Sequence, residues 1–289
     1  MINNYIKRVA SVHDISGFGR CSQTVIIPIL SSMGVQVCPL ITSVLSAHTG
    51  FENYEFVDFT DHIESFYTHW KKLNIEFDAI YTGFLGSSKQ IAIVSKFIDL
   101  FKRDNNFVVV DPVFADYGKI YSAFNEDIVI EMRNLIKKAD IIVPNITEAS
   151  FLLGKPMRTS LSEDEIKEWL LKLSEFGPKI SIITSVGDEK DDSVVCNVVY
   201  DSIKKEFIIV KNRLIPSNYT GSGDTFTSVI LGDILQGASI PIALNKATDF
   251  IVKVIEQTYK NGTPNREGLF LEAMLGELTA KVIPSYKFI

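Results

Sequence analysis

Cysteine is scarce in this sequence, and its spacing does not suggest metal or disulfide chemistry. The 289 residues include only three cysteines, Cys21, Cys38 and Cys196. An odd number of widely spaced thiols without a Cys-x-x-Cys pair indicates neither a disulfide framework nor a zinc site. We therefore expect a reducing compartment and a cytoplasmic location.

Excess positive charge and long apolar runs are also lacking. Lys and Arg total 29 against 35 Asp and Glu, so the formal net charge is -6 and nothing generally attracts nucleic acid or anionic membranes. The longest apolar runs, such as residues 107–110, have strand length and fall far short of the ~20 residues of a membrane span. The apolar run near the N terminus breaks at His13 and Asp14, so we expect no export signal. The expected partner is a small molecule whose phosphate is held by local groups.

Short β-branched runs alternate with longer segments of helical period. This alternation is typical of βα units that feed a mostly parallel sheet with helices on both faces, and it predicts an α/β fold. No repeat or linker divides the chain, so we expect one domain over residues 1–289. The predicted strands cover residues 8–12, 35–41, 79–82, 107–110, 140–143 and 180–184, with an antiparallel hairpin over 193–210. The predicted helices cover residues 22–33, 58–73, 88–103, 126–138, 162–176, 222–236 and 240–259.

The segment GSGDTF at residues 221–226 leads directly into an apolar helix. Its glycines allow a tight turn, and the free amides of the following helix point back into that turn, which favours an anion such as a transferring phosphoryl group. Gly221, Ser222 and Gly223 would then supply the amides. Asp224 would be a carboxylate inside an anion site, suited to accept a proton from a substrate hydroxyl. In an alternative interpretation, Ser222 or Asp224 only caps the helix.

Three other polar segments follow predicted strands. They are DPVFAD at residues 111–116, PNITEA at residues 144–149, and Thr184 with Ser185. Carboxylate and amide oxygens at strand ends are the hard ligands that Mg²⁺ prefers, and open α/β sheets bind ligands at that edge. Each segment alone also fits a turn, a capping box or a loop.

Taken together and in this order, the segments resemble the signature of the ribokinase superfamily. The resemblance implies a three-layer αβα sandwich, with Mg-ATP as the phosphoryl donor. It also implies that Asp111, Asn145, Thr184, Ser185 and residues 221–223 bind ATP. Asp111, Asp116 and Glu148 would serve the metal, with Glu148 acting through water, and Thr184 with Ser185 would contact a monovalent cation, expected to be K⁺.

The N-terminal third resembles one branch of this superfamily, the pyridoxal kinases. Only residues 14–21 separate the first strand from the first helix, too few for the lid of the sugar kinases. SAHTG at residues 46–50 and GFLGS at residues 83–87 are similar to segments of the pyridoxal kinases. The implied substrate-binding residues are Asp14, His48, Thr49, Phe84, Tyr121 and Asp224, and the implied assembly is a homodimer. Asp14, Phe84 and Ser222 depart from the Ser, Tyr and Thr that are common in that family.

These observations predict ATP-dependent phosphorylation of the 5'-hydroxymethyl group of a vitamin B6 compound. The vitamer is left open, although a carboxylate at Asp14 would favour pyridoxamine or a protonated ring nitrogen. A hydroxymethylpyrimidine kinase is the nearest alternative, because that branch shares the late glycine turn. A non-catalytic ligand-binding protein is less favoured, since it would not need Asp224 beside an anion site. A dinucleotide-binding oxidoreductase fits poorly, because the pattern that begins at Gly17 and Gly19 lacks its third glycine and the ribose-binding acid.

Overall fold

Strands and helices alternate along the chain in this computed structural model, which describes residues 6–279 and 285–289. The strands are β1 Arg8–Ser16, β2 Gln36–Leu45, β3 Phe56–Asp58, β4 Ala79–Thr82, β5 Phe107–Val110, β6 Ala115–Asp116, β7 Lys119–Ile120, β8 Ile141–Ile142, β9 Ser160–Leu161, β10 Ile180–Asp188, β11 Asp191–Asp201, β12 Glu206–Arg213 and β13 Lys287–Phe288. The helices are α1 Gln23–Ser32, α2 Thr60–Lys72, α3 Ser88–Phe101, α4 Asp127–Ile136, α5 Ile146–Leu153, α6 Glu163–Ser174, α7 Ser222–Leu235 and α8 Ile240–Lys260. Short 3₁₀ helices cover Asn265–Glu267 and Leu275–Thr279.

One large sheet forms the centre of the fold. Its order is β13-β12-β11-β10-β8-β5-β4-β1-β2-β3, with β9 paired to β10. The six strands from β2 to β10 in this order are parallel, and helices connect them along the chain, as parallel pairing requires. Beyond β10 the sheet continues through the antiparallel strands β11, β12 and β13. The other edge ends in β3, which pairs antiparallel with β2.

Helices cover both faces of this sheet and enclose two separate apolar cores. On one face α2 to α6 pack side by side, and Phe97 and Trp169 belong to the core beneath them. On the other face α1, α7 and α8 bury a second core that includes Ile26 and Val229. The central strands are buried on both faces, so neighbouring residues of β5 alternate between the two cores. The arrangement is a three-layer αβα sandwich, as the resemblance predicted.

Most predicted elements are confirmed, with boundaries that shift by a few residues. The strands at 79–82 and 107–110 match β4 and β5, and the predicted hairpin matches β11 and β12. The short strands β3, β6, β7, β9 and β13 and the helix α5 were not predicted. The eight residues of α5 are mostly buried, so they do not show the alternation of apolar and polar faces by which a surface helix is recognised in a sequence. Burial on several sides therefore hid this helix from sequence analysis.

The connection between β1 and α1 consists of residues 17–22 only, so no lid is inserted there. It lies at the carboxyl edge of the parallel strands, the edge that also carries the segments after β4, β5, β8 and β10. Among the helices that the structure describes, none combines the length and the apolar character needed to cross a membrane.

Candidate active site

The glycine turn before α7 has the geometry of an anion site. Gly221 is the N-cap residue and has a φ of +82°, and a side chain there would overlap the carbonyl oxygen of Arg20. The Ser222 hydroxyl donates to the Tyr219 carbonyl at 2.7 Å and does not cap the helix. Within the described residues no side chain caps this first turn. The Ser222 amide makes only a long hydrogen bond, to the Tyr219 carbonyl at 3.4 Å, so the helix N terminus keeps amides available for a phosphoryl group.

Asp224 lies in the first turn of α7 without acting as a cap. Its Oδ2 accepts a hydrogen bond from the backbone amide of Ser22 at 2.7 Å. The pKa of Asp224 is raised to about 6, mainly because the carboxylate is buried. The hydrogen bond from Ser22 lowers this pKa, and the negative charge of Asp14 raises it. A carboxylic acid with a pKa near 6 suits a general base that works near neutral pH.

Four carboxylates and a tyrosine share one electrostatic environment beside this turn. Burial raises the pKa of Asp111 well above its usual range, and the nearby Asp224 charge adds to the rise. Burial likewise raises the pKa of Glu148, with contributions from Asp111 and Asp116. The pKa of Tyr121 is raised by burial and then by all four of these carboxylates. The structure therefore brings residues from the three acidic segments of the sequence to one place.

Asn145 and Glu148 form a capping box at the start of α5, so the alternative interpretation of residues 144–149 as a helix cap is confirmed. Asn145 Oδ1 accepts from the Glu148 amide at 2.9 Å, and Glu148 Oε2 accepts from the Asn145 amide at 2.8 Å. Glu148 Oε1 also accepts from the Phe114 amide at 3.3 Å, which joins this segment to the loop after β5. Asn145 Nδ2 donates to the Ala115 carbonyl at 2.9 Å. The cap thus fixes a carboxylate beside the cluster, while a contact of Asn145 with phosphate stays a prediction.

The carboxylate cluster fits a cation that is held partly through water. In the described part of the chain, no Lys or Arg forms an ion pair with Asp111, Glu148 or Asp224. Nor do three His, Cys, Asp or Glu side chains converge on one point there closely enough to coordinate a metal directly. Mg²⁺ commonly keeps several waters and uses one or two carboxylates together with substrate phosphates. Buried, mutually repelling carboxylates without a cationic partner match that type of site.

Thr184 and Ser185 lie where β10 departs from regular pairing. The register between β10 and β11 shifts between Ile183 and Val186, and Ser185 has a φ of +60°. The Ser185 amide donates to Asn197 Oδ1 at 3.2 Å, and Asn197 Nδ2 donates to Thr248 Oγ1 on α8 at 3.2 Å. Thr184 forms a parallel bridge with Asn145, so two of the predicted ATP-binding segments are neighbours.

The predicted substrate-binding residues occupy different environments. Asp14 is buried, and its two oxygens accept from the hydroxyls of Ser22 at 2.6 Å and Ser16 at 3.4 Å. The Asp14 pKa is raised mainly by burial, while those hydroxyls and His48 lower it. Thr49 is exposed on its loop.

His48 and Phe84 make contacts with other parts of the site. His48 is buried, and both of its ring nitrogens form hydrogen bonds, to the Arg266 carbonyl and the Gly50 amide. Phe84 is half-buried and packs against Phe124, with their ring centroids 5.5 Å apart. His48 therefore holds a loop in place.

Sequence analysis missed several residues that organise this site. Ser22 holds Asp224, Asn197 holds Ser185, and Thr227 donates to Asp111 Oδ2 at 3.3 Å. Serine, threonine and asparagine are common throughout the chain, so no local pattern sets these three apart. The one available signal was that Ser22 ends a glycine-containing loop directly after the first strand, on the edge where the other segments lie.

Comparison with known proteins defines the class to which this fold and site belong. The family profile described as phosphomethylpyrimidine kinase matches residues 29–267. The fold and the sequence relatives together define a vitamin kinase of the ribokinase superfamily. Within that class, the chain belongs to the phosphomethylpyrimidine kinase family.

Similar proteins with solved structures cover nearly the whole chain. A candidate phosphomethylpyrimidine kinase from Bacteroides thetaiotaomicron is 46% identical in two crystal forms, with TM-scores of 0.96 and 0.95 over 100% and 99% of this chain and all of that one. The second form contains pyridoxal. Pyridoxal kinase from Lactobacillus plantarum is 27% identical, with a TM-score of 0.87 over 96% of this chain and 98% of that one. The pyridoxal kinase of Dictyostelium discoideum is 27% identical over 273 residues, or 85% of each chain.

Proposed function

We propose that this kinase transfers the γ-phosphoryl group of ATP to the 5'-hydroxymethyl group of a vitamin B6 compound. The observation that carries the proposal is the position of Asp224. Its carboxylate has a pKa of about 6 and lies on the first turn of an uncapped helix, next to the buried Asp111. One site thus offers a base for a hydroxyl proton and amides for a phosphoryl group.

In the proposed reaction the substrate hydroxyl oxygen forms a bond to the γ-phosphorus while the bond from that phosphorus to the β–γ bridging oxygen breaks. The hydroxyl proton passes to Asp224, and ADP leaves with the electron pair of the broken bond. The amides of residues 221–223 hold the moving phosphoryl group, so positioning and electrostatic stabilisation carry the catalysis. In this proposal Thr49 and Asp14 face the ring, and Phe84, His48 and Tyr121 line its pocket.

Asp111, Glu148 and Asp116 would hold Mg²⁺, in keeping with the burial of Asp111 and Glu148, the half-buried position of Asp116 and their lack of a cationic partner among the described residues. When bound, the ion neutralises charge on the phosphates. Thr184 and Ser185 would contact the nucleotide and a K⁺ ion. The single domain and the homodimer expected from the sequence remain part of the proposal, and sedimentation of the purified protein would test the dimer.

A vitamin B6 compound is favoured as substrate because the Bacteroides protein, 46% identical over its whole length, was crystallised with pyridoxal. Hydroxymethylpyrimidine is the second candidate, since similar proteins from Aquifex aeolicus and Bacillus subtilis, 27% and 28% identical, are hydroxymethylpyrimidine/phosphomethylpyrimidine kinases. The two substrates share a hydroxymethyl group on an aromatic nitrogen ring, so the transfer step described above applies to both.

The test is a substrate screen with the purified protein, ATP and Mg²⁺. Pyridoxal, pyridoxine, pyridoxamine and hydroxymethylpyrimidine are supplied separately, and ADP and the phosphorylated product are measured by mass spectrometry. We expect ADP and a 5'-phosphate in equal amounts with at least one vitamin B6 compound. Phosphorylation of hydroxymethylpyrimidine alone would establish the second candidate. No ADP above background with any substrate would refute both and favour a non-catalytic binding protein.

A further inference from the structure

The 3₁₀ turn Asn265–Glu267, which follows α8, contacts three separate loops of the proposed site. Each of its three consecutive carbonyl oxygens accepts a hydrogen bond from a different loop. The bonds are Thr220 N to Asn265 O at 3.4 Å, His48 Nε2 to Arg266 O at 2.5 Å, and Arg20 N to Glu267 O at 3.2 Å. The donors come from the loop before α7, the loop after β2 and the loop after β1. No part of the proposed reaction uses this turn directly.

Arg20 lies between Gly221 and Gly268, and a side chain at either glycine would overlap the Arg20 backbone. A Cβ on Gly268 would lie 2.7 Å from the Arg20 carbonyl oxygen and 3.0 Å from its amide nitrogen, and the φ of Gly268 is +80°. On its other side the same carbonyl oxygen lies against Gly221 of the anion turn. The Arg20 side chain adds bonds to the Glu267 carbonyl at 3.3 Å and to the Glu272 carboxylate at 2.9 Å. The backbone of Arg20 therefore contacts both the turn at residues 265–268 and the anion turn at Gly221.

His48 joins the loop after β2 to the turn at residues 265–267 through hydrogen bonds that require one tautomer of its ring. Its Nδ1 accepts from the Gly50 amide at 3.0 Å, so the proton lies on Nε2 and is donated to the Arg266 carbonyl. A Cβ on Gly50 would lie 2.7 Å from the His48 ring, so the loop closes tightly around the imidazole. The Arg266 guanidinium also lies 5.1 Å from the centre of the Phe51 ring in the same loop. Thr49, between His48 and Gly50, is held by these contacts.

We infer that residues 265–268 form a clamp that sets the relative positions of the catalytic base, the anion turn and the ring-binding loop. His48, Arg20 and Gly268 are positioning residues in this inference, which rests on the proposed function. Ser22, which holds Asp224, is two residues from Arg20, and Thr220 directly precedes Gly221. Small misplacements of reacting groups cost roughly 100-fold in rate, so a turn distant in sequence can control turnover.

A pair of glycine substitutions tests the clamp. Gly268→Ala places a methyl group against Arg20. Gly262→Ala is the matched control, because Gly262 lies in the same connection with a φ of +65° and a Cβ there would meet nothing within 4 Å. Both variants place a side chain on a positive-φ backbone, and only one disturbs the clamp. The ψ of −173° at Gly268 adds strain of its own, so the His48 substitutions described below provide a second test that leaves this backbone unchanged. We expect kcat/KM for the vitamin B6 substrate to fall roughly 10- to 100-fold in Gly268→Ala. Gly262→Ala should stay within about twofold of the parent protein.

Hydrogen exchange supplies a readout that does not depend on activity. Peptides that contain Arg20 and Thr220 should exchange faster in Gly268→Ala than in Gly262→Ala, because their amides donate to the turn. Peptides from β5 and α3 should exchange equally in both variants. Equal exchange of the Arg20 and Thr220 peptides in the two variants would overturn the clamp. Faster exchange over the whole of Gly268→Ala would also overturn it, by showing general destabilisation.

Substitutions of His48 complete the test. Gln can both donate and accept, whereas Leu can do neither. We expect His48→Leu to raise KM for the vitamin B6 substrate at least several-fold more than KM for ATP, and His48→Gln to restore part of the loss. Equal effects of the two substitutions on both KM values would contradict the role of His48 in the clamp. If the parent protein phosphorylates no substrate, the proposed function fails, while hydrogen exchange still decides on the clamp.

Discussion

The backbone amide of Ser22 donates a hydrogen bond to Asp224 Oδ2 at 2.7 Å, although 202 positions separate the two residues in the chain. The Ser22 hydroxyl donates to Asp14 Oδ1 at 2.6 Å, so a single residue contacts two carboxylates. Ser22 has a φ of +50°, a sparsely populated conformation for a residue with a side chain. The strained serine therefore links the Asp224 carboxylate on α7 to the loop after β1.

Replacement of Asp224 by Asn should abolish most turnover while ATP binding remains. Asn keeps the shape and can still accept from Ser22, but it cannot take a proton, so we expect kcat to fall roughly 100- to 10,000-fold. Steady-state kinetics and calorimetric titration with an ATP analogue measure the two effects. Asp233→Asn, on the same helix and paired with Lys246, is the control and should retain turnover. Normal turnover in Asp224→Asn would refute the assignment of the base.

The same substitution should stabilise the fold at neutral pH. The folded-state pKa of Asp224 is about 6, above its ordinary value of 3.8, so the folded protein binds this proton more tightly than the unfolded chain. Its contribution to stability is therefore present below pH 4 and is lost as the pH rises through 6. At pH 7 we expect Asp224→Asn to raise the free energy of unfolding by about 1 to 3 kcal/mol. Urea unfolding at pH 7 and pH 4 measures this gain, which should disappear at the lower pH.

Activity should depend on pH through the same group. Because Asp224 must be ionised to accept a proton, kcat/KM should fall about tenfold per pH unit below pH 6 and level off above it. The negative charge of Asp14 raises the pKa of Asp224, so Asp14→Asn should move this acidic limb to lower pH. Rate profiles at saturating Mg²⁺ compare the two proteins. An acidic limb that stays in place would contradict the influence of Asp14 on Asp224, and the absence of any acidic limb in the parent protein would refute Asp224 as the titrating base.

Asp14 should also influence which vitamin B6 compound is preferred. Its oxygens accept two hydroxyl hydrogen bonds, and a carboxylate retains further lone pairs for a substrate nitrogen. We expect Asp14→Ser to reduce kcat/KM for pyridoxamine more than for pyridoxine or pyridoxal. Ser16→Ala is the matched control, since it removes a donor to Asp14 and keeps the charge. Unchanged substrate ratios in Asp14→Ser would leave Asp14 only the task of holding Ser22.

Asn197 should affect the nucleotide and not the vitamin B6 substrate. Its side chain joins the Ser185 amide to Thr248 on α8, so Asn197→Leu removes the hydrogen bond to the bulge of β10 together with the one that anchors Asn197 to α8. About 1 to 2 kcal/mol of lost hydrogen bonding corresponds to a rise of roughly 5- to 30-fold in KM for ATP. Thr248→Val, which loosens Asn197 from α8, should have the same effect in weaker form. Equal increases in KM for both substrates would instead indicate a general loss of structure.

Much of the fold could be predicted because the pattern of the sequence is local. The central strands β4 and β5 are nearly continuous apolar runs, and their bounds match the prediction. The capping box of Asn145 and Glu148 also depends only on a spacing of three residues. In contrast, α5 is mostly buried and β3 consists of three exposed residues, so neither shows a clear period.

The sequence by itself determined the αβα layers, the glycine turn and the acidic residues after the strands, because propensity, periodicity and strand-end position are properties of short segments. Only the tertiary structure decided that Asp224 meets Ser22, that Asn197 supports Ser185, and that one turn near residue 266 joins three loops of the site. These contacts connect segments up to about 250 residues apart in the chain. They arise from the packing of α7, α8 and the sheet, which no local pattern encodes.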